Sequence, residues 1–123
     1  MSDDLINFSA TEAIAKLKAR EVSPLELIDA AAARTAACEP KINALPIQCF
    51  DRARDRAKRL EDQPDREHPA WLAGLPIAIK DLIDVAGERT TYGTPMMAEN
   101  VAQKSDILVE TLEARGALVV AKS

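Results

Sequence analysis

Two segments near the start of the chain carry apolar residues at helical spacing, and a capping box precedes each of them. In such a box a hydroxyl and a carboxylate satisfy backbone amides that the first helical turn leaves free. Ser9–Glu12 predicts a helix near 10–20, and Ser23–Glu26 predicts one near 24–38 that Pro40 ends. The expected inner faces are Ala10, Ala13, Ile14 and Leu17 in the first helix and Leu25, Ile28, Ala32 and Ala36 in the second.

Two further helices are predicted near 51–61 and 105–115. Asp51 is the expected cap of the first, and the second begins at Ser105–Asp106 and ends before Gly116, a residue suited to helix termination. The first of these helices carries arginines and lysines interleaved with acids, which favours a solvated face over a basic binding patch. Its expected inner face is Ala53, Ala57 and Leu60.

Three short apolar runs predict strands near 44–50, 75–81 and 117–121, all in one sheet. Pro46 cannot donate to a strand ladder, so we expect the first strand at a sheet edge. The run 117–121 is apolar throughout, as is typical of a strand buried on both faces. Because helix–glycine–strand is half of a β-α-β unit, the pattern predicts an α/β sheet with parallel members.

Composition and charge narrow the function classes. The chain has 123 residues, 47% of them hydrophobic, which suits one small domain with a core. Its net charge of −4 argues against a nucleic-acid-binding module, because such modules carry a basic face. No apolar run approaches the ~18 residues of a membrane span, and the start lacks a secretory signal. We therefore expect a cytoplasmic protein with no nucleic-acid or membrane partner.

The few cysteines and the one histidine do not form a recognisable site. Cys38 and Cys49 have no disulfide-framework spacing, and with His68 they do not supply the ligands of a zinc site. We expect both cysteines to pack as small hydrophobic residues, and His68 to lie in a solvated loop beside a proline. No metal and no cofactor is expected.

The segment Gly74–Asp81 holds the candidate chemistry. In a strand, Lys80 shares the face of Ala78, and Asp81 points to the opposite face, so adjacency does not make them an ion pair. Lys80 either reaches from the strand end to water or is partly buried. Burial would favour the neutral amine and create a usable base. The spacing alone favours the solvated lysine.

Motifs in this region resemble the amidase signature family. The resemblance is carried by Gly74–Gly87, with its Gly-Leu-Pro-Ile-Ala-Ile-Lys-Asp core, and by Thr90-Thr91-Tyr92-Gly93-Thr94. The downstream segment Ser105–Ser123 is similar to the family's helix–Gly-Ala–strand–Lys-Ser element, and Lys41–Ala44 is compatible with the family's entry to the first strand. The likeness spans nearly the whole chain and is most specific from Gly74 to Thr94.

The resemblance implies a mixed sheet flanked by helices, with residues 1–123 as the N-terminal part of an amidase-signature domain. On this interpretation 1–40 is a helical segment and 41–123 begins the α/β core. The family's Gly/Ser-rich signature, which holds two triad serines, has no counterpart here, because the serines stand at 2, 9, 23, 105 and 123. We expect the chain to be a piece of a longer amidase and to be inactive alone.

Two lysines match positions of the family. The resemblance assigns Lys80 as the base of a Ser–cis-Ser–Lys triad, where the neutral amine accepts a proton relayed from the nucleophilic serine. Lys122 matches a second family lysine. We expect no more than support from it, because a lysine at a strand end is most often solvated.

Three functions stay open on these residues. The first is an amidase that hydrolyses the C–N bond of a small-molecule amide, and the second is the A subunit of a tRNA-dependent amidotransferase. The third is a non-catalytic interaction module in which helices of residues 9–38 pair with another chain. A likeness to family members with such helices at a dimer interface implies a homodimer through the same region.

Overall fold

The computed structural model describes residues 2–123. Along the chain the regular elements are α1 Ser2–Leu5, α2 Ala10–Lys18, α3 Pro24–Ile42, β1 Ile47–Gln48, α4 Phe50–Ala57, β2 Pro76–Ile79, α5 Ile107–Ala114 and β3 Leu118–Lys122. Short 3-10 turns lie at Leu60–Asp62 and Pro95–Met97. No helix in this described part of the chain is long and apolar enough to cross a membrane.

The three predicted strands form one sheet in the order β1-β3-β2. β3 lies in the centre and is buried along its whole length, while β1 pairs with it antiparallel at one edge, as Pro46 predicted. β2 pairs with β3 in parallel, and α5 lies between them in sequence, which completes a β-α-β unit. The α/β class and the parallel members of the sheet are therefore confirmed.

An irregularity in the pairing of β2 with β3 changes the direction of the side chains at the end of β3. Ile77 pairs with Val119, but Ala78 pairs with Ala121, so Val120 is an extra residue in β3. A bulge of this kind interrupts the alternation of side chains along a strand. Val120 and the adjacent Ala121 both belong to the same core cluster, and the next side chain, that of Lys122, contacts residues 81–91 instead.

Both predicted capping boxes are present. Ser9 and Ser23 accept backbone amides at the third helical position, and the glutamates there bond back to the serine amides. Two other expectations at helix ends are wrong. Asp51 is not a cap, because α4 begins at Phe50 and Asp51 pairs with Arg54 at 3.0 Å.

Pro40 does not end the third helix, which continues to Ile42. A proline this close to the helix end removes one backbone donor only. The helix ends instead at Asn43, in the left-handed conformation with φ 50°. The Glu39 carboxylate accepts the following backbone amides of Ala44 and Leu45 at 2.9 and 3.0 Å. These hydrogen bonds at the end of the helix compensate for the backbone donor that Pro40 lacks.

The core has two parts. The larger cluster joins α2, α3 and α4 to the sheet, and it contains the predicted inner residues Ala13, Leu17, Ile28, Ala53 and Leu60. A smaller cluster packs α5 against β2 and β3 through Ile79, Val85, Val109 and Val119. In α3 the prediction is partly wrong, because Leu25 and Ala36 are exposed while Leu27, Ala30 and Thr35 are buried.

Candidate functional site at the carboxyl edge of the sheet

The parallel strands β2 and β3 end side by side, and the candidate residues lie just beyond these ends. The backbone ladder continues past the strands: the amide of Ser123 donates to the carbonyl of Ile79 at 2.9 Å. The amide of Asp81 in turn donates to the carbonyl of Ser123 at 2.8 Å. The ladder therefore brings Lys80 and Asp81 next to Lys122, although some forty positions separate them in the sequence.

Lys80 directly follows the last residue of β2 and is exposed. Ala78 is exposed and Ile79 is buried, so the predicted sharing of one face by Ala78 and Lys80 agrees with the observed burial. Its ammonium group forms no hydrogen bond or ion pair with any other residue that the structure describes. Of the two interpretations of Lys80, the geometry here is that of an amine in contact with solvent.

Lys122, in contrast, is fully buried, with 0% of its side chain exposed. Its ammonium group lies 3.1 Å from Oδ1 of Asp81 and donates to the carbonyl of Arg89 at 2.9 Å and to the hydroxyl of Thr90. The expectation of a solvated lysine at this strand end is wrong. The reason is the loop that contains Arg89 and Thr90, which covers the strand end and supplies oxygen ligands there.

Asp81 is held by neighbours other than Lys80. Its carboxylate accepts the backbone amide of Thr91 at 3.1 Å, the hydroxyl of Thr91, and the ammonium group of Lys122. Burial raises the pKa of Asp81, but the hydrogen bonds from Thr91 and the charge of Lys122 outweigh it and hold that pKa below its usual value. The prediction that Asp81 does not pair with Lys80 is confirmed.

The threonine-rich motif forms the loop around this carboxylate. Thr90 is completely buried, and its backbone exchanges hydrogen bonds with Asn100 at 2.9 Å. Tyr92 and Gly93 both have positive φ, 52° and 72°, and the hydroxyl of Tyr92 donates to Asp84 at 2.8 Å. The turn folds the loop back over the strand end, so that Thr90 contacts Lys122 and Thr91 contacts Asp81.

The remaining candidates lie elsewhere. His68 is exposed in the predicted loop, Cys49 is buried beside β3, and Cys38 is half-buried in α3. Among residues 2–123, no group of three or more His, Cys, Asp or Glu side chains is placed to hold a metal ion. The carboxyl edge of the sheet therefore offers one free amine, that of Lys80, beside a closed polar cluster of Asp81, Thr90, Thr91 and Lys122.

The chain is similar to known proteins along most of its length. The profile of the family described as Amidase matches residues 26–123. The chain is 36% identical over 120 residues to the A subunit of the glutamyl-tRNA(Gln) amidotransferase of Anaeromyxobacter dehalogenans (strain 2CP-C), covering 97% of this chain and 24% of that protein. It is 38% identical over 118 residues to an acylamidase of Rhodococcus erythropolis, covering 94% and 24%.

A solved structure extends the likeness to the fold. The structure of 6-aminohexanoate cyclic dimer hydrolase superimposes with a TM-score of 0.79 at 27% sequence identity, over 94% of this chain and 23% of that one. The chain thus spans about a quarter of the length of the relatives that it matches.

Proposed function

The chain belongs to the amidase family, and from this membership we propose that it contributes the catalytic base to an enzyme that hydrolyses the C–N bond of a small-molecule carboxamide. The observation that carries the proposal is the free ammonium group of Lys80 at the carboxyl edge of the sheet. It lies inside the Gly74–Thr94 segment that resembles the family's lysine motif. An amine without a counter-ion is the form most easily converted to a base.

In the proposed reaction the neutral amine of Lys80 accepts a proton relayed through a bridging serine, while the nucleophilic serine attacks the amide carbonyl. The Lys80 ammonium group then returns this proton to the leaving amine as the C–N bond breaks. Water hydrolyses the resulting acyl-enzyme and releases the acid. Because no two serines of residues 1–123 are adjacent, the proposal places the nucleophile and the bridging serine in polypeptide outside this segment.

The proposal also requires Lys80 to lose its proton near neutral pH. Removal of an ammonium group from water favours its neutral form. We therefore propose that the polypeptide carrying the serines covers the exposed Lys80 when the active site is complete.

Substitution of Lys80 in the whole enzyme tests the proposal. Lys80→Ala should lower kcat on a cleaved amide by about 10²–10⁴-fold, the usual scale for loss of a general base. Lys80→Arg should fail as well, because a guanidinium does not deprotonate near neutral pH. Lys41→Ala, which removes another exposed lysine, is the matched control and should keep kcat within about twofold. An active Lys80→Arg enzyme would overturn the assignment.

The second candidate is one component of a tRNA-dependent amidotransferase. It is supported by the 36% identity to the A subunit of a glutamyl-tRNA(Gln) amidotransferase, which is close to the 38% identity to an acylamidase. The same lysine would serve either enzyme, so substitution does not separate them. The two enzymes can be separated by assaying a panel of free amides beside glutamyl-tRNA(Gln) as amide acceptor. Hydrolysis of simple amides supports the hydrolase, and acceptor-dependent amide transfer supports the amidotransferase.

A further inference from the structure

Asp81 follows Lys80 directly in the chain, yet its carboxylate is fully engaged by other groups. One oxygen faces the Lys122 ammonium group and the Thr91 amide, both at 3.1 Å, and the other accepts the Thr91 hydroxyl. Lys122 is just as completely satisfied. Its three N–H donors meet three oxygens, those of Asp81, Arg89 and Thr90.

We propose that Lys122 is a positioning residue that fixes the Asp81 carboxylate in the orientation, opposite to Lys80, that the strand gives it, and offsets its charge, so that the base has no carboxylate counter-ion. The inference rests on the proposed function, because it gives Lys80 the role of a base. A buried charge is costly unless paired and hydrogen-bonded, and each member of this pair meets that condition through the other. The pair is thus a closed unit beside Lys80 and offers it no acceptor.

The electrostatic consequence concerns the amine. A free carboxylate within about 4–6 Å stabilises an ammonium group and raises its pKa, which hinders release of the proton. The ammonium group of Lys122, 3.1 Å from the Asp81 carboxylate, offsets the charge of Asp81. Two other charged groups nearby in the chain form hydrogen bonds of their own: Asp84 accepts from the hydroxyl of Tyr92, and the Arg89 guanidinium donates to the carbonyl of Ala98.

Lys122 also influences the buried thiol of Cys49. Cys49 and Glu88 lie close enough for Glu88 to raise, and Lys122 to lower, the pKa of the Cys49 thiol. The predominant effect on that thiol is burial, so it stays neutral at physiological pH. None of these groups changes in the variants below, which isolates the effect of the Lys122–Asp81 pair.

The test is the pKa of Lys80, measured on the 123-residue chain by NMR titration of ¹³Cε-labelled lysine. The Lys80 signal is assigned by its loss in Lys80→Arg. Lys122→Met keeps the length of the side chain and removes its charge, so it should raise the measured pKa of Lys80. The double variant Asp81→Asn/Lys122→Met removes both charges and should return that pKa to the original value.

A purely structural role for Lys122 would not produce this rescue. If Lys122→Met does not fold, Thr91→Val serves instead, since it frees one Asp81 oxygen without touching Lys122 and should raise the Lys80 pKa in the same direction. An unchanged Lys80 pKa in the folded Lys122→Met chain, or in Thr91→Val where the former is unfolded, overturns the inference. The readout needs no catalysis, so it is separate from failure of the amidase proposal, which an active Lys80→Arg enzyme would reveal.

Discussion

Gly116 is a residue at which the core leaves no room for a side chain. It has φ 84°, a conformation that favours glycine, and a Cβ built there would lie 2.7 Å from the ring of Trp71. Trp71 is itself buried and belongs to the larger core cluster. The carbonyl of Gly116 also accepts the amide of Gly74 at 2.8 Å, which ties the end of α5 to the segment before β2.

Gly116→Ala should therefore destabilise the fold through two effects. The positive φ costs about 1 kcal/mol, and the overlap with the indole adds roughly 1–3 kcal/mol. Gly87→Ala is the matched control, because Gly87 has φ 82° but no atom within 4 Å of its added Cβ. Urea unfolding should show a larger loss of unfolding free energy in Gly116→Ala than in Gly87→Ala. Equal losses would mean that the Trp71 contact contributes nothing.

The two cysteines should differ sharply in reactivity. Burial raises the pKa of the Cys49 thiol to about 12, with a smaller contribution from Glu88, so almost no thiolate is present at pH 8. Cys38 is only half-buried. Iodoacetamide at pH 8 should add one label to the native chain, on Cys38, and two in denaturant. Mass spectrometry of the peptides checks this, and native labelling of Cys49 would contradict it.

At the scale of elements, a buried carboxylate connects α5 to α4. Glu113 is exposed by only 8%, and Arg52 donates to both of its oxygens while Arg56 lies 3.3 Å away. The expectation of a fully solvated basic face on α4 is therefore only partly right. Arg54 and Lys58 do face solvent with acidic neighbours, but Arg52 and Arg56 turn inward to Glu113.

Glu113→Ala removes this connection and should lower the free energy of unfolding by about 2–3 kcal/mol. The value lies below the range for a fully buried pair, since Arg52 and Arg56 retain some contact with water. Glu110→Ala on the same helix is the control and should cost less than about 0.5 kcal/mol, because its pair with Lys104 is exposed and 4.0 Å long. Thermal or urea unfolding measures both, and similar losses would contradict the prediction.

At the scale of the whole molecule, only one of the two long apolar runs lies at an exposed edge of the sheet. If the chain is a piece of a longer protein, the runs 117–121 and 72–85 are both expected to expose apolar surface that the rest of the sheet would cover. β3 is instead the central strand and is buried throughout, so this expectation is wrong for 117–121. β2, in the run 72–85, does lie at the sheet edge. Large exposed apolar residues follow β2 in the sequence, among them Leu82, exposed by 58%, and Ile107, by 78%. The segments that carry these two residues are joined by a hydrogen bond from the backbone amide of Asp106 to the backbone carbonyl of Asp84.

The 123-residue chain should therefore self-associate in solution. An open strand edge flanked by exposed apolar side chains favours pairing with another chain. Light scattering should give a mass above 13.4 kDa, and Leu82→Lys/Ile107→Lys should return it towards that value. Leu25→Lys, on the exposed side of α3, separately tests the homodimer predicted through residues 9–38, and a return towards 13.4 kDa in this variant alone would place the association there. A 13.4 kDa monomer that unfolds cooperatively would contradict the prediction.

The elements of this fold could be predicted from short stretches of sequence because their causes are local. Ser9 and Ser23 cap helices through residues three positions away, and a continuous apolar run is enough to identify a buried strand. The motif around Lys80 likewise identified the free amine at the end of β2. Each of these features depends on neighbours within a few positions, which a single sequence displays directly.

Contacts between distant residues were decided only by the tertiary structure. Lys122 and Arg89 are 33 positions apart, and Arg52 and Glu113 are 61 apart, so no local pattern distinguishes these buried charges from solvated ones. The extra residue Val120 then sets the direction of the Lys122 side chain, because a bulge depends on the partner strand as well as its own. Burial of a charge requires oxygen ligands from another part of the chain, and only the folded arrangement of β2, β3 and the loop at 89–91 brings them together.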